Sequence, residues 1–170
     1  MTIEEAIKTA LEYENKVRDL YRASIANTAD GTGKRMLQVL SEDEQRHVEY
    51  LESRLDEWKK TGKVTVARLD TTVPSAQSIR QGVEKLEKRM SDKDFGAEIE
   101  LLKKIRDVEA ETSSFYKSLL GKLDADSERL FQRFVEIEDG HLATVQAELD
   151  YVSKSGYWFD FNEFSMESAP

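Results

Sequence analysis

Glu44-Gln45-Arg46-His47 and Glu138-Asp139-Gly140-His141 are the two stretches that decide how this chain folds. They contain its only two histidines, and each histidine stands three residues after a glutamate. On a helix of about 3.6 residues per turn, positions i and i+3 project from one face. Each stretch therefore presents a carboxylate and an imidazole side by side. One such pair is commonly a surface ion pair; two that use every histidine point to a ligand set. Each also has an upstream partner. Glu14 lies 30 residues before Glu44, and Glu109 lies 29 before Glu138. Tyr21 follows Glu14 by seven residues, as Tyr116 follows Glu109. The offset is 95 residues for the Glu–Tyr segments and 94 for the His-bearing ones. The chain reads as two diverged copies of one helical hairpin, each carrying Glu and then Glu-x-x-His.

Composition fits long helices. Charged residues make up 35% of the 170, and only two prolines occur, both outside the four long periodic segments. That mix of Glu, Lys, Leu and Ala favours helix. The length is that of one domain, enough to bury about 70% of the unfolded surface. A net charge of -9 argues against a nucleic-acid partner and supplies no polybasic membrane patch. With no cysteine, disulfides, thiol nucleophiles, iron–sulfur clusters and Cys-ligated zinc are excluded. The acidic start Met1-Thr2-Ile3-Glu4-Glu5 lacks a signal-peptide core, and no apolar run reaches 18 residues, so the expected location is the cytoplasm.

Thr2 with Glu5 forms a capping-box pattern that opens a first helix running to about Asn27. Its inward stripe is Ile3, Ile7, Ala10, Glu14, Val17 and Tyr21. Asp30-Gly31-Thr32-Gly33 reads as a turn, short enough to make the next helix an antiparallel neighbour. That second helix runs to about Lys60, with Leu37, Leu40, Glu44, His47, Leu51, Leu55 and Trp58 on one side. Residues 63–74 carry Val64, Val66, Leu69 and Val73 in no helical phase, and read as an extended crossover. Ser75 caps a short helix through about Met90. The third long helix is expected from near Asp94 to Gly121, with Phe95, Leu102, Ile105, Glu109, Tyr116 and Leu119 inward. Asp124 or Asp126 caps the fourth, whose stripe is Leu130, Phe134, Glu138, His141, Val145 and Val152. Gly156 stops it.

The expected fold is all-α: an antiparallel four-helix bundle with one long crossover, between the second and third helices, that contains a short extra helix. Residues 1–156 form the bundle, with hairpin repeats at about 2–60 and 94–155. Residues 157–170 form an aromatic tail that packs on the bundle or on a second subunit. Glu14, Glu44, His47, Glu109, Glu138 and His141 all fall in phase with the apolar stripes. Four carboxylates converging in a core are costly through desolvation and mutual repulsion. Protons or cations must hold them together. Two divalent ions would balance the four charges, and carboxylates with one imidazole per ion suit iron or manganese better than zinc.

This constellation, a Glu from each of two helices and Glu-x-x-His from the other two, resembles that of the ferritin-like di-iron and di-manganese proteins. Asp43-Glu44-Gln45-Arg46-His47 matches the D-E-x-R-H form of that superfamily's motif, and within the superfamily the chain resembles the rubrerythrins over roughly residues 2–155. The resemblance implies a site of two iron ions, with manganese or a mixed pair as variants. Glu44 and Glu138 would bridge or cap the ions, His47 and His141 would take one each, and Glu14 and Glu109 would be terminal carboxylates. Tyr21 and Tyr116 would donate hydrogen bonds to carboxylates across the bundle, although an aromatic on such a stripe is equally explained as core. Two features depart from the rubrerythrin pattern. Thr112 stands where a further Glu is usual, which bears on a redox-linked shift of iron between Glu and His. The Cys-x-x-Cys pairs of a rubredoxin domain are absent, so electrons would come from another protein.

The function implied is reduction of hydrogen peroxide to water by a di-iron oxidoreductase, with an external donor such as a rubredoxin and a homodimeric assembly. The alternatives are ferroxidase-type iron handling with oxygen or peroxide, and a metal-stabilised bundle that binds a partner without catalysis. Asp139 is read as solvated or as orienting His141, Arg46 as a surface residue or a partner of a nearby carboxylate, and Glu98 with Glu100 as a solvated face.

Overall fold

The computed structural model describes residues 1–86 and 96–161. Five helices occur among them: α1 (Ile3–Asn27), α2 (Gly31–Thr61), α3 (Ala76–Leu86), α4 (Gly96–Leu119) and α5 (Ala125–Ser155). The four long ones pack pairwise, α1 on α2 and α4 on α5, and the two hairpins meet through α1 and α4. The short α3 lies against α5. This is the expected all-α bundle with its helix-bearing crossover. The expected end of the short helix near Met90, the start of the third long helix near Asp94, and Phe95 lie outside the described residues.

Local chemistry sets the ends. The Glu5 amide donates to Thr2 Oγ1 while the Thr2 amide donates to Glu5 Oε2, closing the capping box of α1. Asp30 caps α2 by accepting from the amides of Thr32 and Gly33. The turn is therefore shorter than Asp30-Gly31-Thr32-Gly33 implied: residues 31–33 already belong to α2. An N-cap that satisfies the first free amides outweighs the weak helix propensity of two glycines. Asp124, not Asp126, caps α5, and α2 and α5 stop at Gly62 and Gly156.

The apolar stripes gather into two main clusters. One contains Ile3, Ile7, Ala10, Leu51, Leu55, Tyr116, Phe131 and Phe134. The other contains Val17, Tyr21, Leu37, Leu40, Leu102, Ile105, Val145 and Leu149. On every long helix, the six candidate ligands fall in the gap between these clusters. The bundle thus carries an apolar plug above and below its polar layer.

The crossover is pinned at both sides: Tyr50 donates its hydroxyl proton to Ala67 O at 2.9 Å, and Arg133 Nε donates to Leu69 O at 3.1 Å. Leu69 and Val73 are buried, whereas Val66 is 48% exposed.

Residues 157–161 fold back on the bundle. Trp158 and Phe159 are buried, and Tyr151 meets Phe159 edge-on. Trp158 Nε1 donates to Glu98 Oε2 at 2.9 Å, and Glu98 Oε1 accepts from the amides of Ala29 and Asp30. Glu98 is thus a buried carboxylate clamp and not the solvated residue expected, because the α1–α2 turn offers it free amides; Glu100 is the exposed member of the pair. A Cβ at Gly33 would sit 2.6 Å from Trp158 Cε2, so this glycine is the floor on which the indole rests. Gly33→Ala is expected to displace Trp158, costing about 1–3 kcal/mol as overpacked cores do. A fall in melting temperature with red-shifted fluorescence in a Trp58→Phe background checks it; unchanged emission counts against the clamp.

Among the described residues, no helix is long and apolar enough to cross a membrane.

Candidate metal centre

Each long helix brings its ligand-type residues inward at the same level. Glu14 comes from α1, Glu44 and His47 from α2, Glu109 from α4, and Glu138 and His141 from α5. All six have 0% exposure. Two groups have ligand atoms that all lie within 4.8 Å of one another: Glu14, Glu44, His47 and Glu138, and Glu44, Glu109, Glu138 and His141. Glu44 and Glu138 belong to both groups. Glu14 with His47, and Glu109 with His141, belong to one each. Such a pair of overlapping groups, sharing two carboxylates, could hold two cations side by side.

Both imidazoles turn Nδ1 toward the carboxylates. His47 Nδ1 lies 3.1 Å from Glu14 Oε2, 3.1 Å from Glu44 Oε2 and 3.4 Å from Glu138 Oε1. His141 Nδ1 lies 2.6 Å from Glu44 Oε1 and 3.9 Å from Glu109 Oε1. The two rings stack with centroids 5.3 Å apart. The tyrosines cross between hairpins: Tyr21 on α1 donates to Glu109 Oε1, and Tyr116 on α4 donates to Glu14 Oε1. The two bonds are related by the same 95-residue offset that relates the repeats.

Several buried polar atoms have no hydrogen-bond partner among the described residues: Glu109 Oε2, both carboxylate oxygens of Glu138, and His47 Nε2. Buried carboxylate oxygens without donors cost about 1–3 kcal/mol each, a cost that either a proton or a bound cation would relieve. Carboxylate oxygens and imidazole nitrogens in these groups are a donor set that could hold divalent metal ions.

Proton equilibria give the same picture. Burial first, and then the charge of Glu44, pushes Glu109 and Glu138 above the usual carboxylate range; burial, with the charge of Glu14, does the same to Glu44. Burial alone would lower the two histidines, but the surrounding glutamates, Glu44 foremost at His141 and Glu14 at His47, hold both well above their usual value. Burial and the adjacent Glu109 or Glu14 likewise keep the phenols of Tyr21 and Tyr116 protonated. Without a cation, protons do the neutralising.

Asp43 is the residue that sequence reasoning passed over. It has 0% exposure, and its Oδ2 lies 2.9 Å from His141 Nε2 and accepts from Thr71 of the crossover. Its Oδ1 accepts from Arg46, whose Nη2 also donates to Thr72 Oγ1 at 3.1 Å. Burial raises the Asp43 carboxyl, but His141, His47 and Thr71 outweigh it and keep the group well below its usual value. Asp43, His47 and His141 form a third close group. Both rings already aim Nδ1 at the glutamates, so Nε2 is left to face Asp43, which then orients imidazole instead of adding a ligand. The available signal was its position one residue before Glu44 and four before His47, on the same inward face. Asp139, the other orienting candidate, instead accepts from Ser113 and Lys117, away from His141. Arg46 pairs with Asp43 and so lies one contact from the imidazoles. Thr112 is buried with its hydroxyl on Val108 O at 3.0 Å.

The buried clusters in an all-α bundle are consistent with a ferritin-like di-metal site without identifying one. Compared with models of protein families, with curated proteins and with solved structures, the chain shows no match.

Proposed function

We propose that the chain is a non-haem di-iron oxidoreductase that reduces hydrogen peroxide to water with electrons from an external one-electron donor. The observation that carries this reading is the pair of four-residue groups sharing Glu44 and Glu138. Glu14, Glu44 and His47 would hold one ion, Glu109, Glu44 and His141 the other, with Glu138 common to both. When bound, two ferrous ions supply the two electrons that cleavage of one O–O bond requires. The rest is the work of the chain. Apolar clusters on either side exclude bulk water, which strengthens every charge interaction between them. Tyr21 and Tyr116 fix Oε1 of Glu109 and Glu14, which leaves the two Oε2 atoms to ligate, that of Glu14 beside His47 Nδ1 at 3.1 Å. Their protonated phenols also stand where a proton can pass to those carboxylates; peroxide reduction consumes two protons for every two electrons. The donor we expect is an external protein of the rubredoxin kind, and the assembly a homodimer; the chain itself offers no cysteine for an iron–sulfur relay.

A second reading is ferroxidase-type iron handling. Thr112 is compatible with it, because its hydroxyl lies on Val108 O and it offers no further carboxylate to which an oxidised ion would shift. Repeated turnover separates the two. Protein loaded with ferrous ion is expected to consume many equivalents of peroxide per site with reduced rubredoxin, faster than with oxygen, and to retain its iron. A reaction that stops after one round, with uptake beyond two irons per chain, would replace the peroxidase reading with iron handling.

A further inference from the structure

The carboxylate half of the centre is matched between the repeats, and the imidazole half is not. Tyr116 serves Glu14 as Tyr21 serves Glu109. His141 Nε2 faces Asp43 Oδ2 at 2.9 Å, whereas His47 Nε2 lies 3.9 Å from the same oxygen and has no hydrogen-bond partner among the described residues. Asp43 cannot serve both rings. Its Oδ2 already takes His141 and Thr71, and its Oδ1 takes Arg46. The residue 94 positions on, where a second aspartate would restore symmetry, is Ile137, buried in the apolar cluster. His47 is backed instead by the edge-on ring of Phe134, with centroids 5.4 Å apart.

We propose that the two metal positions are unequal: the His141 position loads first and retains its ion, and the His47 position loads second and exchanges. This rests on the di-metal reading above. A carboxylate on the distal imidazole nitrogen fixes the ring, keeps its proton on Nε2 and makes Nδ1 a stronger donor; such partners typically change metal affinity by about 10–100-fold. Asp43 is in this sense a positioning residue for one half of the site. The asymmetry divides the centre into a resident ion and a replaceable one, as a mixed-metal pair or a path for incoming ferrous ion requires.

Two ions sharing Glu44 and Glu138 repel each other, so stepwise loading of the wild type alone proves nothing. The test measures each position by itself. His47→Ala leaves the His141 position, and His141→Ala leaves the His47 position; each is titrated anaerobically with ferrous ion by calorimetry, with circular dichroism to check the fold. His47→Ala is expected to bind one ion about 10–100-fold more tightly than His141→Ala. Adding Asp43→Asn to His47→Ala should remove most of that advantage, and adding it to His141→Ala should change little. A general loosening of the bundle would weaken both positions alike. Should either histidine variant fail to fold, the same comparison is made on the wild type with and without Asp43→Asn, where only the tighter step is expected to weaken. Equal affinities, or a difference indifferent to Asp43→Asn, overturn the inequality and leave the di-metal reading standing. No saturable binding in the wild type overturns that reading and this inference with it.

Discussion

Glu44→Gln is expected to cost the protein both metal ions, whereas Glu14→Gln or Glu109→Gln should cost only one. The difference follows from the geometry, since Glu44 belongs to both groups of ligand atoms and the outer glutamates to one each. His47→Ala together with His141→Ala should also empty the site. The metal-free Glu44→Gln variant should nonetheless be at least as stable as the metal-free wild type near neutral pH. Burial, with the charge of Glu14, raises the Glu44 carboxyl on balance, so its ionised form works against the fold, and a neutral isostere removes that cost. Metal content per chain by elemental analysis and melting of the chelator-treated forms check both halves. Two ions retained by Glu44→Gln, or by the double histidine variant, would sink the assignment of the ligands.

Removal of metal should lower the melting temperature, and by more as the pH rises. In the metal-free protein, His47 and His141 sit well above their ordinary value of 6.5, and Glu44, Glu109 and Glu138 above 4.5. All five bind protons more tightly folded than unfolded. Their contribution is fully present below those ordinary values and is lost as the pH climbs through the raised ones. The metal-free form therefore weakens from about pH 5 toward alkaline pH, as each group passes from its ordinary value up through its raised one. The metal-bound form changes in the opposite sense, because ligation requires those same protons to leave. An ion at 100 times its dissociation constant stabilises by about 2.7 kcal/mol, so two lost ions should lower the melting temperature by roughly 10 °C or more in a chain of this size. Scans with and without chelator at pH 5 and pH 8 test this. Superimposable curves at pH 8 would mean that the bundle holds its carboxylates together without metal.

The sequence determined a good deal by itself. Helical periodicity placed Glu14, Glu44, His47, Glu109, Glu138 and His141 in phase with Ile7, Leu40, Leu51, Ile105 and Phe134, and all of these are buried. Phase along a helix is a local property, set by 3.6 residues per turn, and it survives folding unchanged. The cap at Thr2 was legible for the same reason, and that of α5 was narrowed to Asp124 or Asp126, since capping side chains reach amides only two or three residues away. Only the tertiary structure decided the rest. That Asp43 and not Asp139 faces His141, that Thr71 of the crossover and Arg46 hold Asp43, and that Glu98 is a buried clamp for Trp158 all depend on elements distant in the chain. Nothing in the spacing of one helix records which residue another helix or a crossover brings against it. The repeats predict symmetry, and the packed bundle shows where it fails: one aspartate beside two imidazoles, with Ile137 in place of a second, because a carboxylate with its oxygens already engaged cannot orient both rings.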